Sequence, residues 1–471
     1  MSFKDLPVKI LQIGEGNFLR AFAEYIIQTA DEKGIINSSV VISQARGSDF
    51  CDTFNAQNCD YNIITRGIQN GETVDEVKKI TCVKECINPK KDFEKLKETA
   101  CLDTLEVIIS NTTEAGISYN PDDKPTDNPP VSFPAKLTVL LHERYLHFCG
   151  AKDKGILLLP VELIEHNGDK LKELVLRYSE EWEFGGEFKE WIESSCQFAN
   201  TLVDRIVSGY PKTDVDALWQ RCGFEDKCMV ACEPFLFWAI ECDESWYGKF
   251  PIDKLGLNIV YSPDITPYKT RKVRILNGAH TVSVLAAYLA GHDIVRKMMD
   301  DEVFMSFITK ALNEEIIPTI DLPEEELKTF AASVIERFQN PFIDHRLLDI
   351  SLNSVSKFKA RCLGSMNDYI RLNGGTLPPA LTFGLAALIK FYDGEIKDGK
   401  FLGTRNGENY EIKDGANVIE FFASKPTVSE ILANMDFWGT DLNTIDGLTA
   451  AVEKNLDKIN ADGIYAAIQE I

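Results

Sequence analysis

The chain opens on a mostly apolar run at residues 8–13, with Val8, Ile10, Leu11 and Ile13 at its core, which reads as a strand buried on both faces. Residues 17–33 then carry apolar side chains at helical spacing and stop at Gly34, predicting a helix. A second strand is predicted at 40–42, with further strand-like runs at 61–65, 80–87, 105–110 and 156–161 and helical patterns between several of them. Such alternation predicts an α/β fold with a mostly parallel sheet covered on both faces. The stretch 119–134 holds five prolines and reads as a surface loop, and 168–265 is mixed, with strand-like runs at 229–232 and 257–261. After residue 266 helical patterns dominate, at 271–290, 301–315, 324–338, 353–371, 378–392, 416–424 and 447–458. A polar, glycine-rich stretch at 393–415 interrupts them as a hairpin excursion. Two domains are predicted: an α/β domain over 1–265 and an all-helical domain over 266–471.

The first strand–helix junction reads Gly14-Glu15-Gly16-Asn17-Phe18-Leu19-Arg20. In a Rossmann-like turn the first glycine makes the tight bend, the second lets a pyrophosphate approach the backbone, and the helix N-terminus faces that anion. Gly14 and Gly16 fit this pattern, but Leu19 stands where a third glycine is usual. A bare pair of glycines is a weak signal; its place between strand and helix strengthens it. No acidic residue stands in the usual place after the second strand to bind the ribose of NAD. Gln44 can bond a ribose hydroxyl there, and Arg46 leaves NADP open. A third piece, Ser110-Asn111-Thr112-Thr113-Glu114-Ala115-Gly116, falls at the end of a strand, where this fold binds ligands; alone, it would pass for a capped turn.

Near the domain boundary lies Lys272-Val273-Arg274-Ile275-Leu276-Asn277-Gly278-Ala279-His280, which reads as the start of a helix. At 100° per residue, His280 lies about 80° and Asn277 about 140° around the axis from Lys272. A lysine can act as general acid/base, an amide can bond a carbonyl or alkoxide oxygen, and an imidazole can orient either. Singly, the lysine would be an ordinary surface residue and the histidine a satisfied core one.

Composition narrows the classes. The formal net charge of −23 argues against a nucleic-acid partner. No apolar run is long enough to span a bilayer and the N-terminus lacks a secretory pattern, so a cytoplasmic, non-membrane protein is expected. The twelve cysteines form no CxxC pair; the nearest spacings, Cys82/Cys86 and Cys228/Cys232, lack partnering histidines. Buried free thiols, and no metal site, are expected.

Taken in order, these motifs resemble the polyol-specific long-chain dehydrogenase/reductase (mannitol dehydrogenase) family. His166-Asn167-Gly168, Val203-Asp204-Arg205-Ile206 and Cys232-Glu233-Pro234-Phe235 extend the match, and Lys-x4-Asn-x2-His at 272–280 is the family signature. The resemblance implies metal-independent, NAD(P)-dependent oxidation of a secondary alcohol by a Rossmann-like domain and a helical substrate domain. It places Gly14, Gly16, Asn17, Phe18, Arg20, Gln44, Asn111, Thr112, Thr113 and Glu114 at the cofactor, with NAD preferred and NADP open. Lys272, Asn277 and His280 become the catalytic set. Residues 159–168, 340–346 and 351–361 resemble the branch of the family that acts on hexuronates, implying tagaturonate as the small-molecule substrate, with fructuronate or a mannitol-type substrate as alternatives. Mannitol-type members carry a second asparagine where this chain has Leu163.

A uronate brings a carboxylate, and residues 345–361 hold His345, Arg346, Lys357, Lys359 and Arg361 against Asp349 alone. Lys357 and Arg361 are the expected carboxylate binders, with His345 beside them; a solvated helix face is the competing reading. Glu162 and Asp204 are candidates for substrate hydroxyls, or structural partners of nearby cations. No obligatory protein partner is evident. A nucleotide-sensing sugar-binding protein and a methyltransferase remain as rivals of different class; neither needs a proton-transfer set.

Overall fold

The computed structural model describes residues 2–45, 47 and 49–471. Two compact units divide the chain: Met1–Arg66 with Thr73–Ile265, and Gly67–Glu72 with Thr266–Ile471.

The first unit runs β1 (Val8–Ile13), α1 (Asn17–Glu32), β2 (Ser39–Ser43), α2 (Phe50–Ala56), β3 (Tyr61–Gln69), β4 (Glu72–Ile80), β5 (Val83–Ile87), α3 (Phe93–Ala100), β6 (Val107–Ser110), α4 (Phe133–His147), β7 (Leu157–Pro160), α5 (Asn167–Glu181), α6 (Gly186–Ser195) and β8 (Gln197–Phe198). It continues through β9 (Asn200–Asp204), β10 (Val207–Gly209), α7 (Val215–Cys222), β11 (Val230–Cys232), β12 (Phe237–Glu241) and β13 (Ile259–Ser262). The central sheet has the order β5-β2-β1-β6-β7-β8, all parallel. That is the 3-2-1-4-5-6 order of dinucleotide folds, with the switch point between β1 and β6. Strand residues alternate between two cores: Ile10, Val40, Ile42, Val107 and Ile109 face α1, while Leu11, Val41, Ile108 and Leu158 face α3, α4 and α5. Burial on both faces is why these strands read as apolar runs. Smaller sheets, β10-β11-β3-β4 and β13-β12-β9, complete the unit.

The second unit comprises α8 (Thr266–Arg271), α9 (Gly278–Ala290), α10 (Val295–Met299), α11 (Glu302–Lys310), α12 (Glu324–Phe338), α13 (Leu347–Ile350), α14 (Ser354–Arg361), α15 (Leu363–Leu372) and α16 (Pro379–Phe391). The antiparallel strands β14 (Gly394–Lys397), β15 (Lys400–Arg405) and β16 (Glu408–Glu411) follow, then α17 (Ala416–Ala423), α18 (Val428–Leu432), α19 (Met435–Trp438) and α20 (Leu448–Ile468). α9 and α16 are buried nearly all round and pack on each other. At their crossing a Cβ on Gly384 would lie 3.2 Å from Val282 Cα, so glycine permits the approach.

Several boundaries differ from the expected ones. The strand expected at 80–87 is two, β4 and β5. The helix expected over 353–371 breaks at Cys362, whose φ of −113° separates α14 from α15. The expected hairpin at 393–415 is a three-stranded meander. Lys272 does not start a helix: α8 passes without interruption into a π-helical turn, Lys272–Asn277, and then into α9. The cysteines also depart from expectation, because Cys51 on α2 and Cys86 on β5 form a disulfide. The two are 35 residues apart in sequence, yet packing of α2 on β5 brings their Cα atoms to 5.2 Å. Cys59, Cys82, Cys196, Cys228, Cys232, Cys242 and Cys362 are buried free thiols. No helix among the described residues is long and apolar enough to cross a membrane.

Candidate active site

In the first unit the candidate residues gather at the carboxyl ends of β1, β2 and β6. Gly14 ends β1 with φ +120°, and a Cβ there would stand 2.5 Å from Asn111 O. Its N–H donates to Ser43 O at 2.9 Å, so the turn is pinned between the ends of β2 and β6. Gly16, the N-cap of α1, is different: nothing lies within 4 Å of where its Cβ would be. Open space above an uncapped helix N-terminus suits an anion. Leu19 is buried, its Cδ1 3.3 Å from the Cβ position of Gly14, and so fills the contact a third glycine would leave.

Arg20 lies beneath this turn. Its guanidinium donates from Nε to Glu15 O (3.0 Å), from Nη2 to Asn17 Oδ1 (2.7 Å) and from Nη1 to Cys228 O, and it sits over the Phe50 and Tyr61 rings. These bonds make it a strut of the turn. Asn17 is exposed, and Phe18, half-buried, stacks on Phe22 at 4.9 Å. Gln44 is buried and accepts a bond from Cys51 N–H at 3.3 Å. Arg46 lies outside the described residues.

After β6, Asn111 Oδ1 accepts from Thr113 N–H at 3.5 Å, Thr113 has φ +76°, and Glu114 is exposed. Thr112 is held by Glu162, whose Oε1 accepts its N–H and its hydroxyl, both at 2.9 Å, while Oε2 accepts Ser110 Oγ at 3.1 Å. Of the two roles expected for Glu162, these bonds fit the structural one, though its partners are Ser110 and Thr112 rather than nearby cations, and the residue is 2% exposed. Burial pushes its carboxyl up, against the bonds from Thr112 and Ser110. Asp204 is buried at the end of β9, in register with Phe237 of β12. Leu163 is 66% exposed. A cavity of about 310 Å³ opens at this edge of the sheet, lined by Ile13, Ser43, Gln44, Ala45, Thr112 and Lys136 among others.

In the second unit Lys272 and Asn277 are the first and last residues of the π turn, and both are half-buried. In an i→i+5 turn, residues five apart stack on one face, so Asn277 lies closer to Lys272 around the axis than regular α geometry predicts. His280 follows one turn of α9 later. Its ring stacks on Phe338 (4.0 Å between centroids) and meets His345 edge-on at 5.8 Å. Its Nε2 is buried without a hydrogen-bond partner. Burial, then His345, Arg361, Arg337 and Lys357, hold the imidazole pKa well below its ordinary value, so it is neutral at pH 7.

His345, Lys357 and Arg361 thus gather about His280. Lys357 Nζ donates to Ile350 O at 2.7 Å, and Arg361 Nη1 to Thr281 Oγ1 at 3.3 Å. Burial lowers the pKa of each of the three; Lys357 further lowers His345, Arg361 further lowers Lys357, and Asp349 and Asp414 oppose these effects. Arg337, which sequence reasoning missed, joins this cluster of side chains from the last turn of α12, where its apolar helical pattern drew no attention to it. Among the described residues no group of three His, Cys, Asp or Glu side chains is placed to hold a metal ion.

A parallel dinucleotide-type sheet in one unit and a lysine–asparagine–histidine helix in the other define a two-domain dehydrogenase architecture. The chain belongs to the mannitol dehydrogenase family: its Rossmann domain description matches residues 8–254 and its C-terminal domain description residues 264–460. Altronate oxidoreductase of Yersinia enterocolitica is 42% identical over 475 residues, 98% of this chain and 96% of that protein. The protein of the same name from Phocaeicola vulgatus is 41% identical over 467 residues, covering 99% and 97%. Among solved structures, a substrate-free D-sorbitol dehydrogenase superposes with a TM-score of 0.81 at 21% identity, covering 99% and 96% of the two chains. The Pseudomonas fluorescens mannitol 2-dehydrogenase ternary complex with NAD and D-mannitol gives 0.67 at 20% identity, covering 100% and 95%. These two share the fold.

Proposed function

We propose that the protein is an NAD-dependent oxidoreductase that interconverts tagaturonate and altronate. The observation that carries the substrate class is the side-chain cluster about His280: a buried, unpartnered imidazole nitrogen with Lys357, Arg361, Arg337 and His345 around it. A cluster of Lys357, Arg361 and Arg337 about one imidazole suits an anion, and a sugar carboxylate is one that arginine can bind through two parallel bonds. The relatives named altronate oxidoreductase, 41–42% identical over nearly the whole chain, support this choice of sugar acid.

The residues of the first unit fit a nicotinamide dinucleotide. Gly14 bends tightly enough for the turn, the space over Gly16 is open, and the α1 N-terminus lies at the switch point of the sheet. Asn17, Phe18, Gln44 and the loop 111–114 are the further side of this site, with Arg20 and Glu162 holding it in shape. NAD, when bound, supplies or accepts the hydride.

Lys272 handles the proton. In reduction its ammonium delivers a proton to the oxygen of the keto group as that oxygen becomes an alkoxide; in oxidation the neutral amine removes the hydroxyl proton. Asn277 donates its amide N–H to the same oxygen, a role whose loss typically costs about 3 kcal/mol of barrier. His280, neutral, directs Nε2 to a substrate hydroxyl, and Lys357 and Arg361 hold the carboxylate.

Absorbance at 340 nm tests this, with NADH and, separately, tagaturonate, fructuronate and fructose. The expected result is turnover with tagaturonate, lost by at least about 100-fold in Lys272→Ala. Arg361→Ala should raise KM for tagaturonate by about tenfold or more while changing kcat less. Turnover with fructuronate instead would redirect the substrate assignment; full activity of Lys272→Ala would remove that residue's role.

A further inference from the structure

Dinucleotide folds commonly hold the adenosine ribose with an acidic side chain just after the second strand. Here that place is taken by Gln44 and Ala45. The structure brings a carboxylate there by another route. Glu15, between the two glycines of the turn, accepts the Ala45 N–H on Oε2 at 2.7 Å. Its main chain is fixed as well, because its carbonyl accepts from Arg20 Nε at 3.0 Å. Ala45 lines the cavity at the carboxyl edge of the sheet, together with Ser43 and Gln44. The Gln44 side chain faces inward, bonded to Cys51 N–H. Lys136 on α4, a cation lining the same cavity, donates to Val131 O at 2.8 Å.

We propose that Glu15 holds the adenosine ribose hydroxyls and selects NAD(H) against NADP(H), an inference that rests on the dinucleotide reading above. A carboxylate accepts hydrogen bonds from a ribose diol. Against a 2′-phosphate it sets like charge on like charge in a partly desolvated site. The turn geometry brings this residue to the end of β2 although it lies on the loop after β1, 29 residues before Gln44. Among the described residues that line the cavity Lys136 is the cation, and its Nζ donates to Val131 O on the α4 side.

Fluorescence titration of the full-length protein with NADH and with NADPH, no sugar present, tests the proposal. The wild type should bind NADH at least about tenfold more tightly than NADPH. Glu15→Gln keeps an acceptor for Ala45 N–H and removes the charge. It should weaken NADH by about tenfold and tighten NADPH, with the melting temperature unchanged. If Glu15→Gln fails to fold, Glu15→Asp replaces it, and should keep the preference for NADH while weakening its binding; unchanged NADH affinity in Glu15→Asp would overturn the proposal. A wild type that prefers NADPH, or a Glu15→Gln protein with the wild-type NADH/NADPH ratio, overturns the role of Glu15 and leaves the dinucleotide reading standing. A wild type that binds neither nucleotide overturns both.

Discussion

His280 shows how one side chain ties burial to chemistry. Its imidazole is pressed between Phe338 and His345 and ringed by cations, so the folded protein resists protonating it. The unfolded chain takes up that proton near pH 6.5. Because the unfolded state then binds more protons than the folded one, stability contributed by this site is complete above about pH 6.5 and falls as pH drops below it. His345 is shifted in the same direction, chiefly by burial. Melting temperatures from pH 8 to pH 5 should therefore decline below about pH 6.5 more steeply for the wild type than for His280→Asn. Parallel curves would mean that the folded imidazole titrates as it does in the unfolded chain. Glu162 and Arg20 teach a second lesson at this scale. Both sit in family motifs, and both spend their charge on the protein: Glu162 on Thr112, 50 residues away, and Arg20 on Cys228, 208 residues away. No local pattern reports such partners, so a carboxylate that braces a loop reads like one that meets a ligand.

Among the elements, the turn between β1 and α1 separates what folding needs from what a ligand needs. Gly14 is required by the backbone, since alanine there would combine a φ of +120° with a Cβ 2.5 Å from Asn111 O. Gly16 meets no such demand from the protein. Gly14→Ala should lower stability by about 2 kcal/mol or more, read as a drop in melting temperature. Gly16→Ala should leave the melting temperature unchanged and weaken dinucleotide binding by about tenfold or more, because its methyl group fills the space left for pyrophosphate. Equal effects on stability would refute the distinction. The strands of the central sheet were legible because both their faces are buried, as Ile10 and Leu11 illustrate by pointing into different cores. Other features were not. The π turn at 272–277 keeps the apolar spacing of a helix while moving Asn277 about the axis. The break at Cys362 is a matter of one φ angle, and the Cys51–Cys86 pairing depends on how α2 docks on β5.

On the scale of the whole molecule, charge sets up a contest. The protein carries a formal −23, yet the proposed substrate is an anion and the side-chain cluster proposed to hold it is cationic. The two fields act over different distances. Exposed surface charge is screened beyond a Debye length of about 10 Å at 0.1 M salt, whereas the partly buried Lys357 and Arg361 are screened less. Raising salt from a few millimolar to about 0.1 M should therefore increase kcat/KM for a uronate, by relieving long-range repulsion, and leave that for an uncharged polyol nearly unchanged. A monotonic fall for the uronate would show that the cluster itself governs encounter.

The chain passes between its two compact units three times, at 66/67, 72/73 and 265/266. Recombining this protein with a homologue by a single crossover near residue 265 would therefore not exchange a complete module. The six residues Gly67–Glu72 would arrive from the wrong parent, among them Gly71, whose N–H donates to Glu336 at 2.7 Å. Chimeras that join the first unit of this protein to a homologue's second unit need the short hairpin transplanted along with everything after Ile265.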